Sequence, residues 1–388
     1  MGQARLPRPP PRSRPRNRFC LLCFSYGCPI SNFRGGERGG RKEMKASITI
    51  IGGGLAGLTL GIGLRRKGVP VTILEAGHYP RHKVCGEFIS GRGQQVIDRL
   101  DLRNAFISAG AIPARNVAFH SLAAKSKPRT MEPPALCLSR FKMDALLADE
   151  FRRLGGTLRE GERLGPATSN EPLVRATGRR PQPIENGWRW FGIKAHARNI
   201  PMESDLEMHI IPTGYVGLCR LADGIVNVCG LFRSKPGGEI SGVRWKSLLS
   251  ATEGSLLHER FGKASFVESS FCAVAGLPLS PKRARDSKEC CLGDALTMIA
   301  PVTGNGMSMA LESAEIAINP LTAYHGGELS WTEAREVIAR ACDAAFTRRL
   351  AWARLLQWMM FAPIFRGPLA TVALHSEWLW RLIFVRTR

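Results

Sequence analysis

A glycine-rich turn placed directly after a short apolar run constrains this chain more than any other feature. Residues 48–51 read Ile-Thr-Ile-Ile, and Gly52, Gly54 and Gly57 follow at the spacing G-x-G-x-x-G. In this spacing the first glycine permits a tight turn, the second lets the backbone approach a pyrophosphate, and the third allows a helix to pack closely on a strand. The sequence therefore predicts a helix start that offers free N–H groups to phosphate.

The residues after this turn complete a β-α-β unit. Residues 55–67 have a helical pattern, Gly68 is typical of a helix end, and residues 71–74 read as a second strand. Glu75 closes that strand, where a carboxylate can accept hydrogen bonds from both hydroxyls of a ribose. An ordinary turn would explain the glycines alone, but the strand, the helix and the acid together favour dinucleotide binding.

The length of 388 residues and the net charge of +23 narrow the remaining possibilities. A chain of this length usually divides into two lobes. Residues 1–43 hold ten Lys or Arg against two acids, and residues 348–388 hold seven against one, so the excess charge is concentrated at the ends. Because the sequence contains no zinc finger, basic-region heptads or aromatic ladder, no nucleic-acid partner is expected.

The cysteines and the first residues indicate a reduced, cytoplasmic protein with a basic tail. The eleven cysteines have no framework spacing, and Cys20, Cys23 and Cys28 have no second ligand pair, so neither disulfides nor a metal site is predicted. Residues 1–43 are rich in Arg, Pro and Gly, a composition typical of disorder. Met44 stands directly before the first strand, which favours a native start there and a tail that is not native.

Further motifs follow the first one at long intervals. Residues 80–87 read Pro-Arg-His-Lys-Val-Cys-Gly-Glu, and residues 139–144 read Ser-Arg-Phe-Lys-Met-Asp at the start of an amphipathic helix. Gly-Asp-Ala at 293–295 is followed by Pro-Val-Thr-Gly-Asn-Gly-Met at 301–307. Alternating patterns between residues 188 and 271 predict antiparallel strands that interrupt the nucleotide-binding part.

With these motifs in this order, the chain resembles the FAD-dependent oxidoreductases that include para-hydroxybenzoate hydroxylase-type monooxygenases, geranylgeranyl reductases and flavin-dependent halogenases. The 80–87 motif is most similar to the geranylgeranyl reductase branch. The resemblance implies an α/β fold: a Rossmann-like FAD-binding domain with a parallel sheet, interrupted by a smaller antiparallel-sheet substrate domain and followed by a helical C-terminus. FAD is the implied cofactor, and NAD(P)H is the implied transient electron donor.

The resemblance also implies domain boundaries. We place the FAD-binding domain at residues 44–83, 136–180 and 280–320. The substrate domain comprises residues 84–135 and 181–279. The helical C-terminal region comprises residues 321–388.

The resemblance assigns cofactor contacts to both halves of the FAD-binding domain. The glycines of the first motif would hold the ADP pyrophosphate, Glu75 the adenosine ribose, and Asp294 the ribityl hydroxyls. Arg140 would add positive charge at the pyrophosphate, unless it is a surface charge at a helix start. The full predicted set is Gly52, Gly54, Leu55, Ala56, Gly57, Glu75, Arg140, Gly293, Asp294, Pro301, Gly304, Gly306 and Met307.

Lys83, Cys85 and Glu87 are the predicted catalytic residues, since this loop lies beside the flavin in the resembling branch. A solvated loop with one buried thiol is the alternative. Only Lys83 argues for a low thiol pKa, so no nucleophilic role is assigned to Cys85. We expect no metal at this site.

Several segments depart from the family pattern. The strand ending near residue 175 continues as Ala-Thr-Gly instead of Asp-Gly, which weakens the prediction of direct nicotinamide use. Residues 188–190, Trp-Arg-Trp, are similar to the halogenase tryptophan pair but lack the Ile-Pro ending, so we interpret them as an exposed strand edge with Arg189 stacked on an aromatic face. His196 and His209 are interpreted as members of a sheet more readily than as proton donors.

The C-terminal region combines arginines with large apolar residues. Residues 350–361 predict an apolar helical side, with Arg348, Arg349 and Arg354 on the surface. No uncharged apolar run reaches the roughly 18–20 residues needed to span a bilayer. The pattern fits either an interfacial helix on anionic lipid or a helical lid on the core.

Together these patterns predict an FAD-dependent monooxygenase or C=C reductase that acts on a lipophilic aromatic or isoprenoid-like compound at the cytoplasmic membrane face. The alternatives are a halogenase, or a non-catalytic basic protein that binds membrane or nucleic acid and retains the nucleotide fold.

Overall fold

The structure is a computed structural model that describes residues 47–121, 125–164, 172–237, 245–250, 253–362 and 375–387. The predictions for residues 1–43, for the three cysteines within them and for a start at Met44 lie outside these residues.

The described strands fall into two sheets. They are β1 (Ile48–Ile51), β2 (Val71–Glu75), β3 (Phe88–Ile89), β4 (Ile112–His120), β5 (Arg129–Cys137), β6 (Thr157–Glu160), β7 (Leu173–Arg175), β8 (Arg189–Arg198), β9 (Leu206–Ile211), β10 (Gly214–Arg220), β11 (Val226–Ser234), β12 (Ser265–Ala275) and β13 (Cys290–Cys291).

The described helices connect and cover these sheets. They are α1 (Leu55–Arg66), α2 (Arg92–Arg99), α3 (Arg103–Ser108), α4 (Arg140–Arg153), α5 (Trp245–Ser250), α6 (Leu256–Phe261), α7 (Gly306–His325), α8 (Trp331–Phe361) and α9 (Glu377–Arg386). Short 3-10 turns lie at Gly293–Ala295 and Pro301–Thr303.

The first sheet has five parallel strands in the order β13-β7-β1-β2-β6. Its central strand is β1, so the glycine turn that follows β1 lies at the middle of the carboxyl edge. In parallel α/β sheets this edge is where ligands bind. The predicted α/β fold class is confirmed.

The second sheet has eight strands in the order β12-β8-β11-β10-β9-β4-β5-β3. Its neighbouring strands are antiparallel except for β4 and β9, which pair in parallel. The sheet is therefore mixed, and with eight strands it is also wider than the nucleotide-binding sheet. Hairpin-like alternation reveals which strands exist, but the parallel pairing joins segments about 90 residues apart and leaves no local signal.

Helix α1 lies at the centre of the main core. Every residue from Leu55 to Leu64 is buried, because α1 packs on β2, α4 and α7. Its glycines permit this close packing: a Cβ on Gly61 would lie 2.8 Å from side-chain carbons of Ile73 and Phe151, and one on Gly63 would lie 2.2 Å from Ile318. Helix α1 is therefore held rigidly with its first turn at the sheet edge.

Helix α8 is attached to α7 by a buried ion pair. Both guanidinium nitrogens of Arg349 donate to the two carboxylate oxygens of Glu312, at 2.7 and 2.6 Å, and both side chains are about 95% buried. The expectation that Arg349 lies on the surface is therefore wrong. Helix periodicity gave no warning, because an arginine is normally placed in water unless a buried acid pairs with it.

None of the helices that the structure describes combines the length and the apolar character that crossing a bilayer would require.

Candidate active site

A cavity of about 1240 Å³ is lined by residues of both sheets and of helices α7, α8 and α9. This volume exceeds the range of about 300–1,000 Å³ that is usual for small-ligand sites. All four sequence motifs contribute to its wall. The cavity therefore has room for an extended cofactor together with a second molecule.

The turn after β1 is shaped by backbone contacts. Gly52 has a φ of +102°, and a Cβ there would lie 2.4 Å from the carbonyl oxygen of Ala176. A Cβ on Gly57 would lie 1.9 Å from the carbonyl oxygen of Gly52, so Gly57 serves helix packing and does not line the cavity. Gly54 is different, since a Cβ there would meet only Lys83 Nζ, at 3.8 Å. Gly54 leaves open space where a phosphate would approach.

The two distant halves of the nucleotide-binding part meet at this turn. A Cβ on Gly293 would lie 3.1 Å from the Cβ of Ala56. The backbone N–H of Leu292 donates to the carbonyl oxygen of Arg175, which continues the parallel sheet up to the Gly-Asp pair. Two segments more than 230 residues apart thus face one cavity.

Two helix N-termini open onto the cavity. Helix α1 begins after Gly54 and α7 begins after Asn305; neither has a side-chain cap or an acidic residue in its first turn. Leu55 and Ala56 of α1, and Gly306 and Met307 of α7, line the cavity. Uncapped first turns carry free N–H groups and a partial positive charge, so this pair suits a diphosphate.

A charge cluster lies beside these helix starts. Arg140 donates to both oxygens of Asp144, at 2.7 and 2.8 Å, and Lys83 Nζ lies 2.9 Å from the same carboxylate. Burial would raise the pKa of Asp144, but Arg140 and Lys83 outweigh it and hold the pKa below its usual range. Two cations share one anion, so a net positive charge remains at the cavity wall. The alternative of Arg140 as a surface charge is wrong.

Asp294 presents its carboxylate to the cavity. No described group donates a hydrogen bond to it, and the residue is exposed to solvent in the cavity. Burial raises its pKa to about 6, while Arg140 and Arg179 act in the opposite direction. An acceptor without a donor fits ribityl hydroxyls.

The turn before α7 completes this end of the cavity. Pro301 opens the 3-10 turn, and Gly304 follows in the left-handed region with a φ of +62°. A Cβ on Gly304 would lie 2.3 Å from the Phe88 ring, so the backbone there approaches its neighbours more closely than any side chain allows. The free N–H groups, the net positive charge and the orphaned carboxylate together fit the phosphates and ribityl chain of FAD.

Glu75 already holds its own turn together. It accepts hydrogen bonds from the N–H groups of Gly53 and Gly77, both at 2.8 Å, and from Arg81 at 2.6 Å. Tyr79 donates its hydroxyl to the carbonyl oxygen of Gly53. A carboxylate has about four acceptor sites, so a ribose contact remains compatible with these bonds. The contact of Glu75 with a ribose stays a prediction.

The loop at 80–87 is only partly exposed to the cavity. Lys83 and Cys85 line it, but Glu87 does not and is fully buried. Burial raises the pKa of the Cys85 thiol, so Cys85 is a protonated wall residue. Glu87 instead accepts hydrogen bonds from the N–H of Arg140 and from His196, at 2.9 and 2.7 Å. The buried position of Glu87 does not allow it to touch a reacting molecule, so Glu87 is a positioning residue.

A buried polar network connects Glu87 to the cavity. Lys194 Nζ lies 3.2 Å from Glu87 and 3.0 Å from His82 Nδ1, and His82 lines the cavity. Because Lys194 can only donate, His82 Nδ1 must accept, which assigns its proton to Nε2. Burial, with Lys194 and His196, lowers the pKa of His82 to about 4. His82 is thus a neutral hydrogen-bond donor at the cavity wall.

The opposite end of the cavity is mostly apolar, although Arg129 and Glu207 also line it. It is formed by side chains from the second sheet and from the last two helices, including Val117, Phe119, Met131, Leu218, Leu356, Met359, Met360, Leu379, Ile383 and Phe384. Tyr215 also lines it, and its buried hydroxyl has no hydrogen-bond partner. Helix α8 therefore packs on the core and covers part of the cavity, and its contact with lipid stays a prediction.

The expectation for residues 188–190 needs correction. The cations on the Trp188 ring are Arg233 and Lys235, at 4.1 and 4.2 Å from the ring centre, and not Arg189. Trp190 is buried against Phe361 at a ring distance of 5.1 Å. The strand β8 is internal to its sheet, so both of its edges are paired, and Phe361 of helix α8 packs on its Trp190 ring.

Sequence reasoning missed Arg179, His82, Lys194 and Tyr215. A signal existed for Lys194, since alternation in β8 places it on the same face as His196 two residues later. Tyr215 sits within an apolar strand and gave none. His209, like His196, is buried with a carboxylate partner, at 3.1 Å from Glu207.

Comparison with known proteins identifies the nucleotide-binding part. Residues 45–185 match the family described as the FAD binding domain. The chain is therefore similar to FAD binding domains over these residues. It is also similar to conditioned medium factor receptor 1 of Dictyostelium discoideum, 22% identical over 334 residues, which are 73% of this chain and 64% of that protein. A 74-residue stretch is 32% identical to squalene epoxidase erg1 of Aspergillus fumigatus and covers 19% of this chain and 15% of that protein. Each match spans less than two thirds of the relative's length.

Solved structures share the fold around this FAD-binding domain. A flavoprotein/dehydrogenase from Cytophaga hutchinsonii superposes with a TM-score of 0.68 at 16% identity, covering 81% of this chain and 86% of that one. The flavin-dependent brominase Bmp2, as a triple mutant, gives 0.64 at 17% identity over 87% and 97%. A probable FAD-dependent monooxygenase from Pseudomonas aeruginosa gives 0.62 at 14% identity over 84% and 98%. The predicted resemblance to FAD-dependent oxidoreductases is confirmed.

Proposed function

We propose that this chain is an FAD-dependent monooxygenase that acts on a lipophilic aromatic or isoprenoid-like molecule. The observation that carries the proposal is one continuous cavity with two chemically distinct ends. Its phosphate-binding end fits the cofactor, and its apolar end is the kind of surface that binds a greasy substrate. When bound, FAD would supply the redox chemistry, as the protein supplies orientation and water exclusion.

The substrate end has an apolar wall with few polar groups. Leu356, Met359 and Met360 from α8 face the cavity, and unbranched methionines adapt to irregular apolar shapes. Among the described residues that line this region, Tyr215 has a buried hydroxyl without a partner, and a rotation of its ring toward the cavity would let it orient a hydroxyl or carbonyl of the substrate. Burial raises the pKa of Tyr215 well above its ordinary value, so it would act as a neutral donor.

The reaction would consume one O₂ and one NAD(P)H for each oxygen atom inserted. One oxygen atom enters the substrate, and the other leaves as water. The nicotinamide supplies the two electrons. Its hydrogen and one proton become the two hydrogens of that water. Neutral His82, with its proton on Nε2, would offer a hydrogen bond at the cavity wall. Lys194 and Glu87 would hold that ring in place from behind.

The surface next to the apolar end suits contact with the cytoplasmic face of a membrane. Trp358 and Trp378 are 61% and 73% exposed, and Val385 is 69% exposed. Arg354 and Arg381 are also exposed on the same two helices. Aromatic and aliphatic side chains mixed with arginines are typical of interfacial helices on anionic lipid. A lipophilic substrate would then enter from the bilayer.

Stopped-flow spectroscopy of the FAD-reconstituted protein tests this function. Bound flavin should be reduced by NADPH or NADH, and candidate lipophilic compounds should speed oxygen consumption with incorporation of one ¹⁸O atom. Reduced flavin that is inert to oxygen but reduces an isoprenoid double bond would establish the C=C reductase instead. Halide incorporation when bromide or chloride is added would establish a halogenase.

A further inference from the structure

A second buried polar cluster lies in the substrate lobe, on the strands β4 and β9. It consists of His120, Glu207 and His209, each at least 97% buried. His120 and His209 are register partners in the parallel β4–β9 pair, and Ala118 pairs with Glu207. Since side chains alternate across a strand, the three side chains stand on one face of the sheet.

The donor atoms of this cluster converge. His209 Nε2 lies 3.1 Å from Glu207 Oε2, and His120 Nε2 lies 3.8 Å from the same oxygen. The ligand atoms of all three residues lie within 4.8 Å of one another. Metal–ligand bonds of 2.0–2.2 Å in a tetrahedral site place ligand atoms about 3.4 Å apart. The two imidazole rings are stacked, with centres 4.6 Å and planes 15° apart, so a rotation of the His120 ring would direct both Nε2 atoms at one ion.

One member of the cluster, His120, is not satisfied by the protein, whereas Glu207 and His209 are paired with each other. Neither ring nitrogen of His120 has a hydrogen-bond partner, although the side chain is buried. Leaving a buried polar group without a partner is unfavourable, so such a histidine indicates a missing ligand. The second buried histidine cluster, His82, Glu87 and His196, differs because Lys194 already occupies its centre.

We propose that His120, Glu207 and His209 bind a divalent transition-metal ion, with Zn²⁺ as the ion that fits best. Two imidazoles and one carboxylate are ligands that Zn²⁺ uses, and they leave a fourth position for water or hydroxide. Arg260 is ion-paired with Glu207, so a bound ion would share this carboxylate with one cation. The Nε of Arg260 lies 3.2 Å from Glu207 Oε2 without forming a hydrogen bond, and its Nε and Nη2 have no acceptor. A hydroxide on the ion would accept from Arg260 and reduce the net charge.

The ion would tie together two strands that form the wall of the substrate cavity. Phe119 and Met208 are the register partners between the ligand positions, and both line the cavity. Glu207 also contributes to the cavity lining. Metal binding would therefore fix the parallel β4–β9 pair and the apolar wall, and it would leave the FAD end unchanged.

Metal titration of the FAD-reconstituted full-length protein tests the site. After removal of adventitious metal with chelator, we expect one equivalent of Zn²⁺ to bind and to raise the melting temperature. His120→Gln and His209→Gln should each weaken binding by at least about 10-fold. The matched control is His258→Gln, an exposed histidine of the same lobe, which should bind as the parent does.

The cysteines require a separate control, because thiolates also bind Zn²⁺. The experiment is repeated with Cys20, Cys23 and Cys28 changed to Ser, and with Co²⁺ as a spectroscopic probe of the ligand type. One equivalent should remain, without thiolate-to-cobalt charge-transfer absorption. FAD content and far-UV circular dichroism show whether each variant is folded. Absence of binding by the parent, loss of binding in the triple-Ser protein, or unchanged affinity in both folded His→Gln variants would overturn the proposal.

Discussion

The two ends of the cavity are built in different ways. The cofactor end is made mainly of backbone: glycine turns, two uncapped helix starts and one orphaned carboxylate, held by contacts in which a single Cβ would clash. The substrate end is made of apolar side chains from the second sheet and the last two helices. Backbone shape requires particular residues at particular spacings, whereas an apolar wall can be built from many combinations. The first end should therefore tolerate substitution poorly and the second well.

The largest expected effect comes from the ion pair that joins the two ends. Arg349→Leu removes the partner of Glu312 and leaves a buried carboxylate alone, which costs about 3–5 kcal/mol. Because α7 starts at the cofactor end and α8 lines the substrate end, the midpoint of chemical denaturation should fall strongly. Exposed Arg340→Leu on the same helix is the control and should change little.

Next in size is a contrast between two glycines of the first motif. Gly54→Val should weaken FAD binding by about 100-fold or more with little change in stability, because its side chain projects into open space. Gly57→Ala should instead destabilise the fold by about 1–3 kcal/mol, since its Cβ meets a backbone carbonyl. Flavin fluorescence and thermal melts measure both. Equal effects of the two variants on stability would contradict the assigned roles.

A smaller effect concerns Asp294 and pH in the FAD-free protein. Burial raises the pKa of Asp294 to about 6 from 3.8, so the folded protein holds the protonated carboxyl more tightly than the unfolded chain does. The contribution of this carboxyl to the free energy of unfolding is therefore fully present below about pH 4 and is lost as the pH rises toward 6. Asp294→Asn removes this loss and should be more stable than the parent at pH 7 by about 1 kcal/mol, a value reduced because the carboxylate is accessible. Melting temperatures between pH 4 and 7 check this, and a constant difference would contradict it.

The smallest effect is expected at the substrate end. Tyr215→Phe keeps the apolar shape and removes one hydroxyl, so KM for a substrate with a polar group should rise by about 2- to 10-fold, with kcat nearly unchanged. A substrate analogue without the polar group should not respond. A large loss of kcat would instead place Tyr215 in the chemistry.

The sequence predicted which residues line the cofactor end far better than those that line the substrate end, while their contacts with FAD stay predictions. Gly52, Gly54 and Asp294 could be assigned because tight turns and phosphate contacts leave few residue choices. The burial of Arg349 and the parallel β4–β9 pair could not, since both depend on partners distant in the chain. Lys83 was assigned to the correct wall, but its sharing of Asp144 with Arg140 required the folded structure.

The central claim is that one FAD is held from both ends, by the turn after β1 and by Asp294. Equilibrium binding of FAD and of ADP to the parent and to Asp294→Asn tests it most directly. ADP should occupy only the end near the glycine turn, so the substitution should weaken FAD binding by about 10-fold and leave ADP binding unchanged. Equal weakening of both ligands, or failure of the parent to bind FAD at all, would contradict the claim.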